Sequence, residues 1–281
     1  MKRTTRMPAL YGSDAFSPDE IADRIQQVGV VKARLPMLQL VLLGILAGGF
    51  IGLGAMFFAL VTSDVSLGFA LGRVLGGMCF ALGLLLVVVA GAELFTGNNL
   101  LAMAWADGRV STAEVLRNWG VVSIANLVGA AGLAVLVDLS GHPAMNDGAV
   151  GEQYVRIAAA KSALPFGTAF VSGVLCNVLV CLAIWMSFAG RSVMDKAIAV
   201  VLPIAAFVAA GFEHSVANMY FLPMGMLLKS AHPHVAGADG ITIMGSLSNL
   251  VPVVLGNLVG GSGLVALVYY LIYGRGRRGD P

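Results

Sequence analysis

Long apolar runs separated by short polar segments fill the chain from about residue 38 to residue 273. A bilayer core about 30 Å thick requires about 20 apolar residues in a helix, and every run reaches that length. We predict six membrane spans, near Leu38–Val61, Leu71–Trp105, Val115–Leu139, Ala163–Phe188, Ala197–Leu228 and Leu247–Tyr273. The second and fifth runs are too long for one uninterrupted helix, and both contain polar motifs. We therefore expect each of these two helices to be broken in its middle.

The middle of the fifth run reads Gly211-Phe-Glu-His-Ser-Val-Ala-Asn218, in which the carboxylate of Glu213 and the imidazole of His214 are neighbours. Uncharged sequence extends on both sides, so the pair is expected near the bilayer midplane. Ionisable groups at that depth are expensive and mark an ion or substrate path by default. A buried pair that only ties helix ends together is the alternative.

The chain also repeats itself. Gly91-Ala-Glu-Leu-Phe-Thr-Gly-Asn98 shares Gly, Glu and Asn with the fifth-run motif at offsets of 120 residues, and Ala125–Leu133 matches Gly256–Leu264. Each half holds three spans, an odd number, so the second half is expected to enter the membrane inverted. Inverted repeats with polar breaks in corresponding helices indicate a transport site at the midplane.

A broken helix leaves backbone groups that hydrocarbon cannot satisfy, so these groups must line a cavity or find protein partners. Half-helices that restart after Thr96 and His214 would direct N–H groups, which favour anions, toward the centre. Glu93 and Glu213 are expected to be structural acceptors for the loops. The two asparagines of the motifs, Asn98 and Asn218, are expected either to support the loops or to line the path.

Composition agrees with an integral membrane domain, because 58% of the residues are hydrophobic, only 11% are charged, and the mean hydropathy is +0.87. Soluble domains carry about 25% charged residues. A net charge of +2 is too small to indicate nucleic-acid binding. The three cysteines lie inside apolar runs, which is typical of small core residues and not of disulfides or metal ligands. No metal or cofactor is expected.

The ends of the chain are polar. Residues 1–35 are expected to form a cytoplasmic segment without a signal peptide, in which Phe16-Ser-Pro-Asp-Glu-Ile21 opens a short amphipathic helix with Ser17 as its cap. Residues 36–274 would form the six-span transporter domain, and residues 275–281 a basic cytoplasmic tail.

Orientation follows from the basic residues between the spans. With the N-terminus inside, thirteen Lys and Arg residues fall on the cytoplasmic side and four on the other, a clear positive-inside bias. The cytoplasmic set is Lys2, Arg3, Arg6, Arg24, Lys32, Arg34, Arg109, Arg117, Arg191, Lys196, Arg275, Arg277 and Arg278. The opposite set is Arg73, Arg156, Lys161 and Lys229. Both termini are thus expected in the cytoplasm.

Four segments resemble the signatures of the formate/nitrite transporter family, in order and across Pro36 to Tyr273. They are Glu93-Leu-Phe-Thr-Gly-Asn98, Cys176-Asn-Val-Leu-Val-Cys-Leu-Ala-Ile-Trp185, Gly211–Asn218 and Leu255-Gly-Asn-Leu-Val-Gly-Gly261. The resemblance implies an all-α fold with an aquaporin-like inverted 3+3 repeat, assembled as a homopentamer with one pore in each protomer. It also implies passage of small monovalent anions across a bacterial or archaeal cytoplasmic (inner) membrane.

The same resemblance assigns roles to individual residues. Thr96 would lie in the loop that breaks the second span, His214 would be the central histidine, and Lys161 would lie in the outer vestibule, at the outer end of the fourth span. Lys161 would raise the local anion concentration, or would be an ordinary interfacial lysine. Apolar constrictions above and below the histidine would be formed by Phe80, Leu84, Leu94, Phe95 and Phe207.

A dry constriction is crossed more easily by a neutral acid than by a bare anion. His214 could donate a hydrogen bond or a proton to the anion, which would make the protein an anion channel or an anion/proton symporter. Thr96 and Asn177 could hold the anion through hydroxyl and amide donors. Asn177 has a competing role as an interhelical tie. Gly190–Lys196 and Met219–Met226 resemble formate members of the family more closely, whereas Cys176-Asn177 and Thr96-Gly-Asn98 resemble nitrite members equally. Formate is the preferred substrate on this resemblance, with nitrite or hydrosulfide as the alternative.

Other classes fit less well. An intramembrane serine protease also has about six spans, but its serine precedes its histidine, whereas His214 precedes Ser262 here. A water or polyol channel would carry paired Asn-Pro-Ala boxes, which are absent. A purely structural membrane protein would need neither broken helices nor a midplane imidazole.

Overall fold

The computed structural model describes residues 15–274, and these contain helices and no strands. Ten α-helices follow one another: α1 Pro18–Ala33, α2 Met37–Thr62, α3 Phe69–Leu86, α4 Leu101–Ala106, α5 Thr112–Leu139, α6 Ala149–Ser162, α7 Phe166–Ser187, α8 Val193–Ala210, α9 Ser215–Leu228 and α10 Ile243–Leu258. Wider π turns extend α3 to Gly91 and continue α10 as far as Gly274. The predicted tail and six of the basic residues used for orientation lie outside the described residues: Lys2, Arg3, Arg6, Arg275, Arg277 and Arg278.

Six of these helices are long and apolar enough to cross a membrane, and they coincide with the six predicted spans. The predicted second span contains α3 and α4, with irregular backbone between them, and the predicted fifth span contains α8 and α9. Both breaks are therefore confirmed. The predicted start of the N-terminal helix is also confirmed, because Ser17 and Glu20 form a reciprocal capping box at α1.

Glycines bring the spans into backbone contact. A Cβ on Gly48 of α2 would overlap the carbonyl oxygen of Asn126 in α5, and one on Gly129 would overlap that of Ile45. Gly256 and Gly260 bring α10 equally close to α7. Small residues permit this approach, and it positions the polar side chains of α5 and α10 against the breaks.

One expected position is wrong. Lys161 does not lie at the end of the fourth span but on the last turn of α6, a separate helix between the third and fourth spans. Helix α6 exposes Arg156, keeps Glu152 partly exposed beside it, and packs Tyr154 and other apolar residues against α9. Because α6 is amphipathic, its mean hydropathy is lower than that of a membrane span, and the sequence pattern did not reveal it as a separate helix.

The alternating direction of the spans divides the molecule into two ends. The starts of α2 and α5 and the end of α7 lie at one end, together with Lys32. The end of α8 and the starts of α3 and α7 lie at the other, together with Lys161. We call these the Lys32 end and the Lys161 end.

Candidate functional site

Glycines begin both helix breaks. Gly91 and Gly211 have φ angles of +85° and +79°, a left-handed conformation that L side chains rarely adopt. Each turn redirects the chain into an irregular segment, 92–96 in the first case and 211–214 in the second. The left-handed backbone conformation therefore explains why both motifs begin with glycine.

The loops after these glycines are held by two asparagines. Asn126 of α5 donates its amide N–H groups to the carbonyls of Gly44 (2.8 Å) and Glu93 (2.9 Å) and accepts from the Phe95 N–H (2.9 Å). Asn257 of α10 makes the matching set, to the carbonyls of Gly173 and Glu213 and from the Ser215 N–H. Backbone groups freed by the breaks thus find protein partners, as low-dielectric surroundings require.

The two glutamates accept hydrogen bonds in the same arrangement. Glu93 accepts from the Lys32 ammonium (2.7 Å) and from the Asn98 amide (2.7 Å). Asn98 also donates to Asn118, whose own amide donates to the Lys32 carbonyl.

At the Lys161 end, Glu213 accepts from Lys161 (2.8 Å) and from Asn218 (2.6 Å). Asn218 also donates to Asn249, whose amide donates to the Lys161 carbonyl. Both glutamate side chains are almost completely buried. Their partners are lysine and asparagine side chains.

His214 and Thr96 connect the two breaks. The imidazole Nε2 lies 2.9 Å from the Thr96 hydroxyl, and both residues are buried. The other ring nitrogen, Nδ1, caps α9 by accepting from the Ala217 N–H at 3.1 Å. Since Nδ1 accepts, a neutral ring carries its hydrogen on Nε2 and donates it to Thr96. His214 therefore presents an N–H group at the junction.

A cavity enters the protein from each end. The Lys161 cavity, of about 280 Å³, is lined by Arg73, Phe80, Lys161, Phe207 and His214 among others. The Lys32 cavity, of about 440 Å³, reaches Glu93, Leu94 and Asn98 and has Arg24, Lys32 and Lys196 in its lining. Thr96 lines neither cavity and is fully buried.

The expected constriction residues are all buried. The rings of Phe80 and Phe207 meet edge to face with centroids 5.7 Å apart, and Phe207 also stacks on His214 at 5.8 Å. Both rings line the Lys161 cavity, whereas Leu94 lines the Lys32 cavity. Leu84 and Phe95 line neither of the two.

Asn177 lies close to the junction but its amide is occupied. The N–H groups point at the Asn257 carbonyl (2.7 Å), the Asn99 side chain (2.8 Å) and the Thr96 carbonyl (3.3 Å). These bonds join α7 to α10 and to the first break, which is the interhelical role left open by the sequence. Its buried Oδ1 has no hydrogen-bond partner among the described residues.

Sequence reasoning missed Lys32. Lys32 was interpreted only as a basic residue of the cytoplasmic side. Its ammonium nevertheless donates to Glu93 in the same way as the ammonium of Lys161 donates to Glu213. No local signal indicated this contact, because Lys32 lies 61 residues from Glu93 and is separated from Lys161 by 129 residues, not by the 120 that separate the glutamates.

Comparison with known proteins gives a consistent result. The family model Formate/nitrite transporter matches residues 19–271. The formate channel FocA of Escherichia coli K12 is 41% identical over 271 residues, covering 92% of this chain and 95% of that protein. FocA of Haemophilus influenzae is 36% identical, covering 89% and 92%. A solved pentameric formate channel with formate bound superposes with a TM-score of 0.79 at 38% identity, covering 84% of this chain and 97% of that one.

Proposed function

The chain belongs to the formate/nitrite transporter family, and we propose that it conducts formate, as a small monovalent weak-acid anion, through a pore within each protomer. The family and the relatives above are channels and transporters, not enzymes. An intramembrane protease would need Ser262 and His214 in contact, but His214 bonds to Thr96 and Ser262 donates to the Asn99 carbonyl.

The contact between His214 and Thr96 carries the proposal. It joins the two helix breaks in buried surroundings, between a cavity from each end of the molecule. Phe80 and Phe207 then form the barrier on the Lys161 side of the pair, and Leu94 belongs to the barrier on the Lys32 side. A fully charged anion crosses such apolar segments poorly unless a donor meets it there.

At the junction, His214 would supply that donor. An arriving anion replaces the Thr96 oxygen as acceptor of the Nε2 hydrogen, and the freed Thr96 hydroxyl can donate to the same anion. Asn98 and Asn218 would not bind the anion directly, because their amides already donate to glutamate and asparagine side chains. They would support the two loops. Asn177 acts as a tie that fixes the Thr96 carbonyl.

Proton relay through His214 is the finer proposal. Since Nε2 already carries the hydrogen of the neutral ring, a relay requires a proton to arrive at Nδ1 before Nε2 releases its own. That step breaks the cap on the Ala217 N–H. A relay is thus coupled to movement at the start of α9, and the neutral acid so formed would cross the apolar barrier.

Assembly and topology are proposed on the same basis. A homopentamer is supported by the pentameric neighbour. An inverted 3+3 repeat is supported by the matching bonds of the Lys32–Glu93–Asn98 and Lys161–Glu213–Asn218 sets. The excess of basic residues at the Lys32 end supports a cytoplasmic position for that end, and for both termini, in the inner membrane.

Uptake of labelled formate into liposomes that contain the purified protein tests the function. We expect uptake above that of empty liposomes, with competition by unlabelled formate stronger than by equal nitrite or hydrosulfide. Stronger competition by nitrite would assign nitrite as the substrate. Absence of uptake of all three anions by an assembled protein would overturn the proposal.

A further inference from the structure

The Lys161 cavity has three charged side chains in its lining, Arg73, Lys161 and Glu213. Lys161 and Glu213 are in contact at 2.8 Å, and their side chains are only 14% and 6% exposed. Opposite charges at that distance largely cancel when seen from several ångströms away. Lys161 is therefore a compensated cation, and the pair adds little attraction for an anion at the mouth.

Arg73 has no such partner. Within residues 15–274 it forms no ion pair with a carboxylate, and its hydrogen bonds go to two backbone carbonyls. Nη2 donates to Val208 at 2.7 Å and Nε donates to Ala209 at 3.1 Å. Two of the five N–H groups of the guanidinium are used in this way. The side chain is half-buried and its Cζ lies 5.5 Å from the centre of the Phe58 ring.

Those carbonyls belong to the last turn of α8. A helix ends with unpaired carbonyls and a partial charge of about −0.5, and this end points at the mouth of the Lys161 cavity. Left alone, it would repel an approaching anion. With Arg73 in place, the summed charge of the mouth becomes positive. Arg73 thus changes the sign of the field that an anion meets before it reaches Phe80 and Phe207.

We propose that Arg73 is the anion-attracting residue at the Lys161 end and forms an entry subsite for small oxyanions, carboxylates in particular. The inference rests on the proposed function. The guanidinium keeps three N–H groups free of described partners, and a planar fork suits a carboxylate better than an ammonium does. Lys161 then acts mainly by neutralising the carboxylate of Glu213.

Two substitutions separate the charge of Arg73 from its hydrogen bonds to the last turn of α8. Arg73→Gln removes the charge but keeps an amide donor for the carbonyls, and Arg73→Lys keeps the charge but loses the fork. Arg156→Gln is the matched control, because Arg156 lies on α6 at the same end, is exposed, pairs with Glu152, and does not line the cavity. All variants are first compared with wild type for assembly in detergent.

The measurement is formate uptake into liposomes across formate concentrations, at low and high concentrations of a salt that is not transported. We expect Arg73→Gln to raise the apparent KM about threefold or more at low salt, with the maximal rate within about twofold of wild type. High salt should remove the difference, since the Debye length falls to about 3 Å at 1 M. Arg73→Lys, which keeps the charge but loses the fork, should fall between wild type and Arg73→Gln, and Arg156→Gln should stay close to wild type.

Two results would overturn the inference. One is an unchanged KM in Arg73→Gln. The other is an equal loss of maximal rate in Arg73→Gln and Arg73→Lys at every salt concentration, which would leave Arg73 as a structural clamp. Failure of the proposed function is distinguishable, because wild type itself would then show no uptake.

Discussion

Lys32 and Lys161 occupy equivalent positions, 129 residues apart: each ammonium donates to the glutamate of a helix break, and each backbone carbonyl accepts from an asparagine of a later span. Each lysine therefore joins an amphipathic helix to a broken one. Lysines so placed both neutralise a buried carboxylate and fix the loop that carries it. These two roles can be separated experimentally.

Lys161→Ala should lower formate uptake by about three- to tenfold at low anion concentration and low ionic strength, with less effect near saturation. The cause is the carboxylate of Glu213, which loses its cation and repels the anion. Adding Glu213→Gln to this variant should restore much of the uptake, because it removes the uncompensated charge. Uptake is measured in liposomes at two salt concentrations.

Lys229→Ala serves as control, because Lys229 lies at the same end and its ammonium, among residues 15–274, bonds only to the Ile241 carbonyl. An equal loss in Lys161→Ala at all salt concentrations, with no recovery in the double variant, would make Lys161 a direct ligand or a structural tie.

Asn257→Leu should destabilise the protein, since the Asn257 side chain makes three bonds to buried backbone at the second break. Each unsatisfied buried group costs about 1–3 kcal/mol. We expect the melting temperature in detergent to fall by about 5 °C or more. Ser262→Ala, which removes a single bond to the Asn99 carbonyl, is the control. Equal melting temperatures for the two variants would contradict the role given to Asn257.

The spans and breaks were predictable because their signals are local. Apolar run length marks a helix that can span a bilayer, and a left-handed glycine such as Gly91 or Gly211 beside polar residues marks its interruption. The partners of the glutamates were not predictable in the same way, since Lys32 lies 61 residues from Glu93. Helix α6 was missed because its mean hydropathy is low, and Lys161 was misplaced with it.

The role of Asn177 shows a different limit. Its type and position were predictable, but a buried amide can serve an anion or a neighbouring carbonyl equally well. Only the positions of the Asn257 and Thr96 carbonyls decide which acceptor it meets. Arg73 likewise looked like one more basic residue outside the membrane until the end of α8 was placed against it.

The assembly should be a stable pentamer in mild detergent, because several glycines of the spans, Gly49 and Gly132 among them, have open space where a Cβ would stand. Small residues on an outer face permit close contact between protomers. Mass measurement in lipid nanodiscs tests the state directly. A monomer or dimer there would count against the pentamer.

The mechanism at the junction is tested by two substitutions of His214. The imidazole has two roles, because Nδ1 caps α9 at Ala217 and Nε2 meets Thr96. Asn is a good helix cap and keeps an amide donor, but it does not titrate. Phe fills a similar volume and removes both the cap and the donor. Asn therefore isolates the loss of titration, and Phe adds the loss of the hydrogen bonds.

If His214 relays a proton, His214→Asn should conduct formate more weakly, and its pH dependence between acidic and neutral pH should be flattened relative to wild type. His214→Phe should lose anion passage almost entirely, since no donor meets the anion between the barriers. Flux is measured in liposomes across this pH range, after both variants are shown to assemble like wild type. The contacts of Glu213 must also be checked in both variants, because Glu213 precedes His214 in the same irregular segment. An intact His214→Asn protein with the wild-type pH response would exclude the relay and leave His214 as a hydrogen-bond donor in the pore.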